Sequence, residues 1–228
     1  MTPFEELQSL SDPAKIDAIA AYHKVERPYL GVTNPLMNDL CKRWRQEMTL
    51  DERLSVAADL WGTNAHEARV CAAKLLTQAR IKDDDAVWTL LQSWVPDFDA
   101  WAIADHACSA ISRRLSAKPS RLDTVETWTK SDHMWTKRAA LVATLPWTKQ
   151  NHPSAAEEKA RDRILGWAGI YVSDPEWFIQ KSVSWWVREL SKHDAPRARA
   201  FLEEHGGAMK NFARKDASRH LEKVSKGQ

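Results

Sequence analysis

Apolar residues along this chain recur at helical intervals, and no stretch alternates with the period of two that marks a strand. The spacing predicts helices over 13–24, 35–47, 50–61, 65–79, 83–94, 98–116, 121–130, 133–145, 154–171, 175–192, 195–205 and 214–223. Start signals agree with these positions. Asp12-Pro13, Asn34-Pro35, Asp174-Pro175 and Asp194 followed by Pro196 set a capping side chain beside or near a first-turn proline. Thr49 with Glu52 has capping-box spacing, and Asn64 with Glu67 is a close relative of it. The acidic run at 83–85 is expected to cap the helix after it. Glycines fall mainly in connections, with Gly166 and Gly169 as exceptions inside a helix. The expected fold class is all-α.

Short connections predict that consecutive helices pack as antiparallel pairs. HEARVCAAKLL (66–76), HMWTKRAALVATL (133–145) and FIQKSVSWWVREL (178–190) each read as a second helix with an early basic residue and apolar residues after it. Taking Arg69, Asp105, Arg138 and Lys181 as corresponding positions gives intervals of 36, 33 and 43 residues. Helical repeats of the HEAT and armadillo kind run to about 40–47 residues. The expectation is one domain, 1–228, built as a curved solenoid of helix pairs whose second helices line a concave face. An unrepeated helical bundle is the alternative.

Three helices carry the candidate chemistry. In the last of these strings, Ile179, Val183, Trp186, Val187 and Leu190 gather into one stripe, so Trp186 belongs to the core. Trp185 points away, on a face with Phe178, Lys181 and Arg188, where a ring among cations could cradle a nucleic-acid strand. The simpler alternative packs Trp185 against a neighbouring helix. In DFDAWAIADHACSAISRRL the core stripe is Ala104, Cys108, Ile111 and Leu115, and Trp101 and Asp105 share an edge at i, i+4. A carboxylate there is either functional or simply solvated or salt-bridged. In HMWTKRAALVATL, Arg138 projects into an apolar stripe of Met134, Trp135, Leu141, Val142 and Leu145, opposite the small residues Ala139, Ala140 and Ala143. An arginine held there needs an anion or a solvated groove, and Asp105 or a phosphate are the natural partners.

Composition narrows the class without naming it. Of 228 residues, 43% are hydrophobic and 28% charged, which is ordinary for a globular chain, and the net charge of +2 excludes a large basic field. A nucleic-acid surface would have to come from local clustering. Cys41, Cys71 and Cys108 stand alone, which fits a reducing compartment. The start lacks a signal-peptide pattern and the uncharged stretches are too short to span a bilayer, so a cytoplasmic protein is expected. No HExxH, zinc spacing or glycine-rich phosphate loop is present, so neither metal nor cofactor is expected. His106, beside Asp105, is more simply structural or exposed. The basic tail HLEKVSKGQ is expected to fray.

Taken together, Trp101, Asp105, Arg138 and Trp185 resemble the site of the AlkD-type DNA alkylation repair glycosylases. The resemblance runs in order through YHKVERPYLGV (22–32), DLWGTNAHEARVCAAKLL (59–76), AWAIAD (100–105), WTKSDHMWTKRAAL (128–141) and FIQKSVSWWVRELSK (178–192). The last two strings are the specific ones. The family implies a superhelix of HEAT-like repeats around a basic groove for duplex DNA, and hydrolytic excision of cationic N3- and N7-alkylated purines. By this resemblance Asp105 is the catalytic carboxylate, with Trp101 and Trp185 as aromatic walls beside the lesion nucleotide. Arg138 contacts DNA and steadies the site, while Arg188 and Tyr22 are further groove residues; Lys181, on the face of Trp185, is the DNA-contact candidate that the helix itself supplies. Relatives often carry an aromatic before the first tryptophan and an acid after it, where this chain has Ala100 and Ala102. Those departures bear on substrate range and rate. The family implies no obligate protein partner and no membrane. A DNA-binding protein without activity and a protein-interaction scaffold are the competing readings. Salt-dependent DNA binding separates the scaffold from the other two.

Overall fold

The computed structural model describes residues 1–221, and among these the chain forms thirteen α-helices and no strand. In chain order they are α1 (Pro3–Ser9), α2 (Pro13–His23), α3 (Asn34–Glu47), α4 (Leu50–Gly62), α5 (His66–Leu75), α6 (Asp85–Ser93), α7 (Trp101–Ala117), α8 (Leu122–Trp128), α9 (Met134–Val142), α10 (Ala155–Tyr171), α11 (Trp177–Ser191), α12 (Ala195–His205) and α13 (Asn211–Ser218). The all-α expectation holds. The pattern did not reveal α1, whose seven residues are too few to show a period. Its signal lies in its start, where Thr2 and Glu5 form a capping box around Pro3. The end of the predicted helix 214–223 and most of the predicted fraying tail lie outside the described residues.

The predicted caps divide into those that form and those drawn elsewhere. Asp12 accepts from the Ala14 N–H, Asp194 from the Arg197 N–H, and Thr49 with Glu52 closes a full capping box. Asn34 lies inside the first turn of α3, behind an N-cap Thr33 that makes no side-chain bond. Asp174 stops short of capping α11: it accepts from the Glu176 N–H and pairs with Lys137. Asp84 pairs with the buried Arg114 and makes no side-chain cap bond to α6, and Asp85 pairs with Lys118. Asn64 and Glu67 form no box either. Glu67 is buried and accepts from the N–H groups of Leu30 and Gly31, both at 2.9 Å. In each case an ionised carboxylate takes a cation or two buried donors over one exposed helix-end N–H. The predicted helix 133–145 ends at Val142, since Pro146 cannot continue it and Thr144 folds its hydroxyl back onto the Ala140 carbonyl.

The chain divides into two compact units, Met1–Lys118 and the residues from Pro119 onward. In the first unit α3, α5 and α7 pack side by side, while α4 covers α5, α6 covers α7, and α4 also meets α6. In the second, α9, α11 and α13 lie together, with α8 against α9, α10 against α9 and α11, and α12 against α10 and α11. Each unit therefore stacks helix pairs in two layers, the local arrangement of helical-repeat proteins. Gly169 permits the close approach of α10 to α12, because a Cβ there would lie 2.9 Å from the His205 ring. The predicted core faces are filled. Ala104, Cys108, Ile111 and Leu115 are buried in α7, as are Ile179, Val183, Trp186, Val187 and Leu190 in α11, with Trp186 0% exposed. All three cysteines are buried and none is in a disulfide.

Candidate functional site

The segment between α2 and α3 positions the candidate groups of the first unit. Gly31 adopts φ +77°, and a Cβ there would fall 2.2 Å from the Asp12 carbonyl oxygen, so only glycine fits. Glu67 clamps this turn, the His66 N–H donates to the Pro28 carbonyl, and the Tyr29 hydroxyl donates to the Val25 carbonyl. Arg27, its side chain almost fully buried, pairs with Asp99 two residues before Trp101. The segment and the start of α7 are thereby tied together.

That tie assembles an aromatic group around Trp101. Tyr22, 67% exposed, meets Trp101 edge-on at 5.8 Å between centroids, and His23 leans on the same indole at 5.5 Å. Behind them His23 and His66 lie 4.2 Å apart, with Tyr29 5.3 Å from His66. Burial holds His66 neutral, pushing its pKa down to about 3, and also lowers that of His23. Asp105 stands one turn beyond Trp101 on the same side of α7, half-buried. His106, expected to be structural or exposed, is half-buried, and burial and the charge of Lys74 bring its pKa down to about 4. Ala100 and Ala102 are both buried, so the two positions where relatives often carry larger groups are packing positions here.

In the second unit, Arg138 is 4% exposed, and its guanidinium carbon lies 5.6 Å from the Trp135 centroid and 6.0 Å from that of Phe178. The small-residue face of α9 is buried as well. Ala139, Ala140 and Ala143 are as buried as Leu141, because α8, α10 and α11 enclose the helix. The rings continue outward. Phe178 meets Trp135 at 4.6 Å and Trp177 at 4.9 Å, and Trp177 stacks on Phe212 at 5.7 Å. Lys181 is exposed, its ammonium 4.7 Å above Trp177, and Trp185 is half-buried on the same helix. Arg188 is held by Asp216, with its Nη1 donating to both carboxylate oxygens at 2.8 and 2.6 Å. Burial favours the neutral form of Asp216, yet the hydrogen bonds and charge of Arg188 outweigh it and leave the carboxyl below its ordinary range.

The structure thus brings Tyr22 to Trp101, with Asp105 one turn along, and places Arg138, Lys181, Trp185 and Arg188 on two adjoining helices of the second unit. Sequence reasoning missed His23, His66, Arg27 and Tyr29, and also the outer rings Trp177 and Phe212. The first four lie inside the strings 22–32 and 59–76, from which Tyr22 alone was singled out. Their signal was the clustering of rings and charges in two short strings. Only packing shows that the strings meet. Among the described residues no group of three or more histidine, cysteine, aspartate or glutamate side chains could hold a metal ion, and no helix is long and apolar enough to cross a membrane.

Comparison with known proteins supplies the context for these groups. A predicted DNA alkylation repair enzyme from Enterococcus faecalis superposes with a TM-score of 0.78 at 18% identity, covering 92% of this chain and 96% of that one. AlkD2 from Streptococcus mutans gives 0.63 at 17% identity over 82% and 89%. The smu.31 protein of Streptococcus mutans UA159 gives 0.53 at 18% identity over 80% and 98%. At these identities the likeness shows a shared all-α fold. No curated protein matches the chain. The family model described as DNA alkylation repair enzyme matches residues 4–221. By that match over nearly its whole length, the chain belongs to the DNA alkylation repair enzyme family, and its role lies in the repair of DNA.

Proposed function

We propose that this protein is a DNA glycosylase that hydrolyses the N-glycosidic bond of cationic N3- or N7-alkylated purines in duplex DNA. The observation that carries the reading is the face of α7 on which the Trp101 indole and the Asp105 carboxylate follow one another, with exposed Tyr22 edge-on to the indole. An alkylated purine already bears positive charge and leaves without a general acid. The C1′–N bond breaks, its electron pair departs with the purine, and positive charge develops on the deoxyribose. A carboxylate beside the sugar stabilises that charge. It also accepts a proton from the water whose oxygen bonds to C1′. The electron-rich indole face of Trp101 favours the same cation, and Trp185 is proposed as an aromatic contact to the lesion nucleotide from the second unit.

Arg138, Lys181 and Arg188 are proposed as the cations that face DNA from the second unit. The burial of Arg138 favours a steadying role over a broad surface contact. The Asp216 bridge fixes the Arg188 fork, whereas Lys181 stands exposed over Trp177. Incubation with methylated duplex, followed by detection of freed bases, tests the reading. The wild type is expected to release 7-methylguanine, and Asp105→Asn to release it at least about a hundredfold more slowly. DNA binding without release by the wild type would leave the DNA-binding reading standing in its place.

A further inference from the structure

A concavity of about 440 Å³ opens in the first unit where α3, α5 and α7 adjoin, on the helix that carries Asp105. Its α3 wall is a stripe at i, i+4 and i+7, namely Asn38, Lys42 and Arg45. From α5 comes Lys74, whose ammonium donates to Asn38 Oδ1 at 2.8 Å and whose carbonyl accepts from Arg45 Nη1 at 2.9 Å. From α7 come His106 and Ser109, the latter donating its hydroxyl to the Asp105 carbonyl at 2.9 Å. Asp39 is the lone carboxylate of the lining.

Cations outnumber carboxylates around this concavity, with Lys42, Arg45 and Lys74 against Asp39. Arg27, Arg114, Arg163 and Arg188 each meet a carboxylate. Among the described residues none of Lys42, Arg45 and Lys74 does, although the three converge on one concavity. A chain with a net charge of only +2 has thus gathered three cations without local neutralisation. The charge and burial that keep His106 neutral leave its ring to act as a neutral hydrogen-bonding group beside Ser109 and Asn38. Cations on a rim with neutral polar groups on the walls suit a singly charged tetrahedral oxyanion.

We propose that this pocket seats one phosphodiester of the DNA strand whose sugar faces Asp105. The inference rests on the glycosylase reading and assigns a register to it. Ser109 lies about 6 Å along α7 from Asp105, against about 3.4 Å of axial rise per nucleotide in a strand. In this proposal the strand runs along α7, which sets the seated phosphate one or two nucleotides from the lesion.

The test uses a duplex with a single central 7-methylguanine, in which neutral methylphosphonate replaces one phosphodiester at a time on either side. Dissociation constants are measured for the wild type, for Lys42→Gln and for Lys42→Gln/Lys74→Gln. The wild type is expected to lose about tenfold in affinity at one position, one or two nucleotides from the lesion. The double variant should bind the unmodified duplex about tenfold more weakly, be indifferent to methylphosphonate at that position, and retain full sensitivity elsewhere. Lys42 is exposed, so Lys42→Gln alone gives a smaller change of the same kind should the double variant unfold. Equal sensitivity in wild type and variants at every position would overturn the pocket assignment, while base release by the wild type would keep the glycosylase reading intact. Absence of both binding and release in the wild type would remove the two together.

Discussion

Trp101 and Tyr22 in the first unit lean on imidazoles, whereas Trp135, Phe178 and Trp177 in the second lean on a guanidinium and an ammonium. His23 and His66 are kept neutral by burial, and the nearby cation Arg27 is tied to Asp99. Around the second group, Arg138 sits against two rings and Lys181 over a third. On the proposed function, the surface with the neutral imidazoles and the half-buried carboxylate is the one that meets the cationic purine and its sugar. Ring-bound cations make the second able to receive an anion, namely the backbone. The proposed division of labour sets the acid and its aromatic wall in one unit and the ring-bound cations in the other. The α3–α5–α7 pocket of the first unit carries cations of its own, Lys42, Arg45 and Lys74.

The largest expected effect comes from breaking the clamp beneath the first group. Glu67→Ala leaves two buried backbone donors without an acceptor and should cost about 3 kcal/mol in urea unfolding, with base release falling as Tyr22 and His23 lose their seat. Acid acts on the same group. Because the folded pKa of His66 lies far below its ordinary value, the unfolded chain binds the extra proton. Stability is therefore full above pH 6.5 and is lost as pH falls toward about 3. By pH 4 the loss from His66 should reach about 3 kcal/mol, and His66→Phe should flatten that slope in a urea titration.

Smaller effects sharpen the comparison on the DNA side. Trp101→Ala removes an indole face worth up to about 2 kcal/mol to a desolvated cation, so single-turnover release should slow by about thirtyfold with little change in affinity for undamaged duplex. Lys181→Ala should do the reverse. Affinity for any duplex should fall a few fold, the slope of log affinity against log salt should become shallower by about 0.9, and release at saturating protein should stay unchanged. If Trp101→Ala weakened undamaged-duplex binding as much as Lys181→Ala, the division would collapse.

Much of this was legible in the chain itself. Period and caps placed twelve of the helices, and stepping around α11 separated Trp186 from Trp185 correctly, because a filled core leaves one face little choice. Prediction failed where a carboxylate had two possible partners. Glu67, Asp84 and Asp174 look like helix-start residues in sequence, and each takes a partner remote in sequence that no local rule can see. The wheel of α9 found its small face but could not say what covers it: Ala139, Ala140 and Ala143 are contact surfaces for neighbouring helices. The site was legible as side chains and not as surroundings. Asp105, Trp101 and Tyr22 could be named, whereas the histidines behind them and the three cations of the α3–α5–α7 pocket depend on packing between distant strings.

The division is tested most directly by measuring the single-turnover release rate and the dissociation constant together, on one duplex carrying 7-methylguanine, for the wild type and Asp105→Asn. The account predicts a release rate at least about a hundredfold lower with a dissociation constant within a few fold of the wild type. Undiminished release, or a rate that falls only as far as binding does, would contradict it.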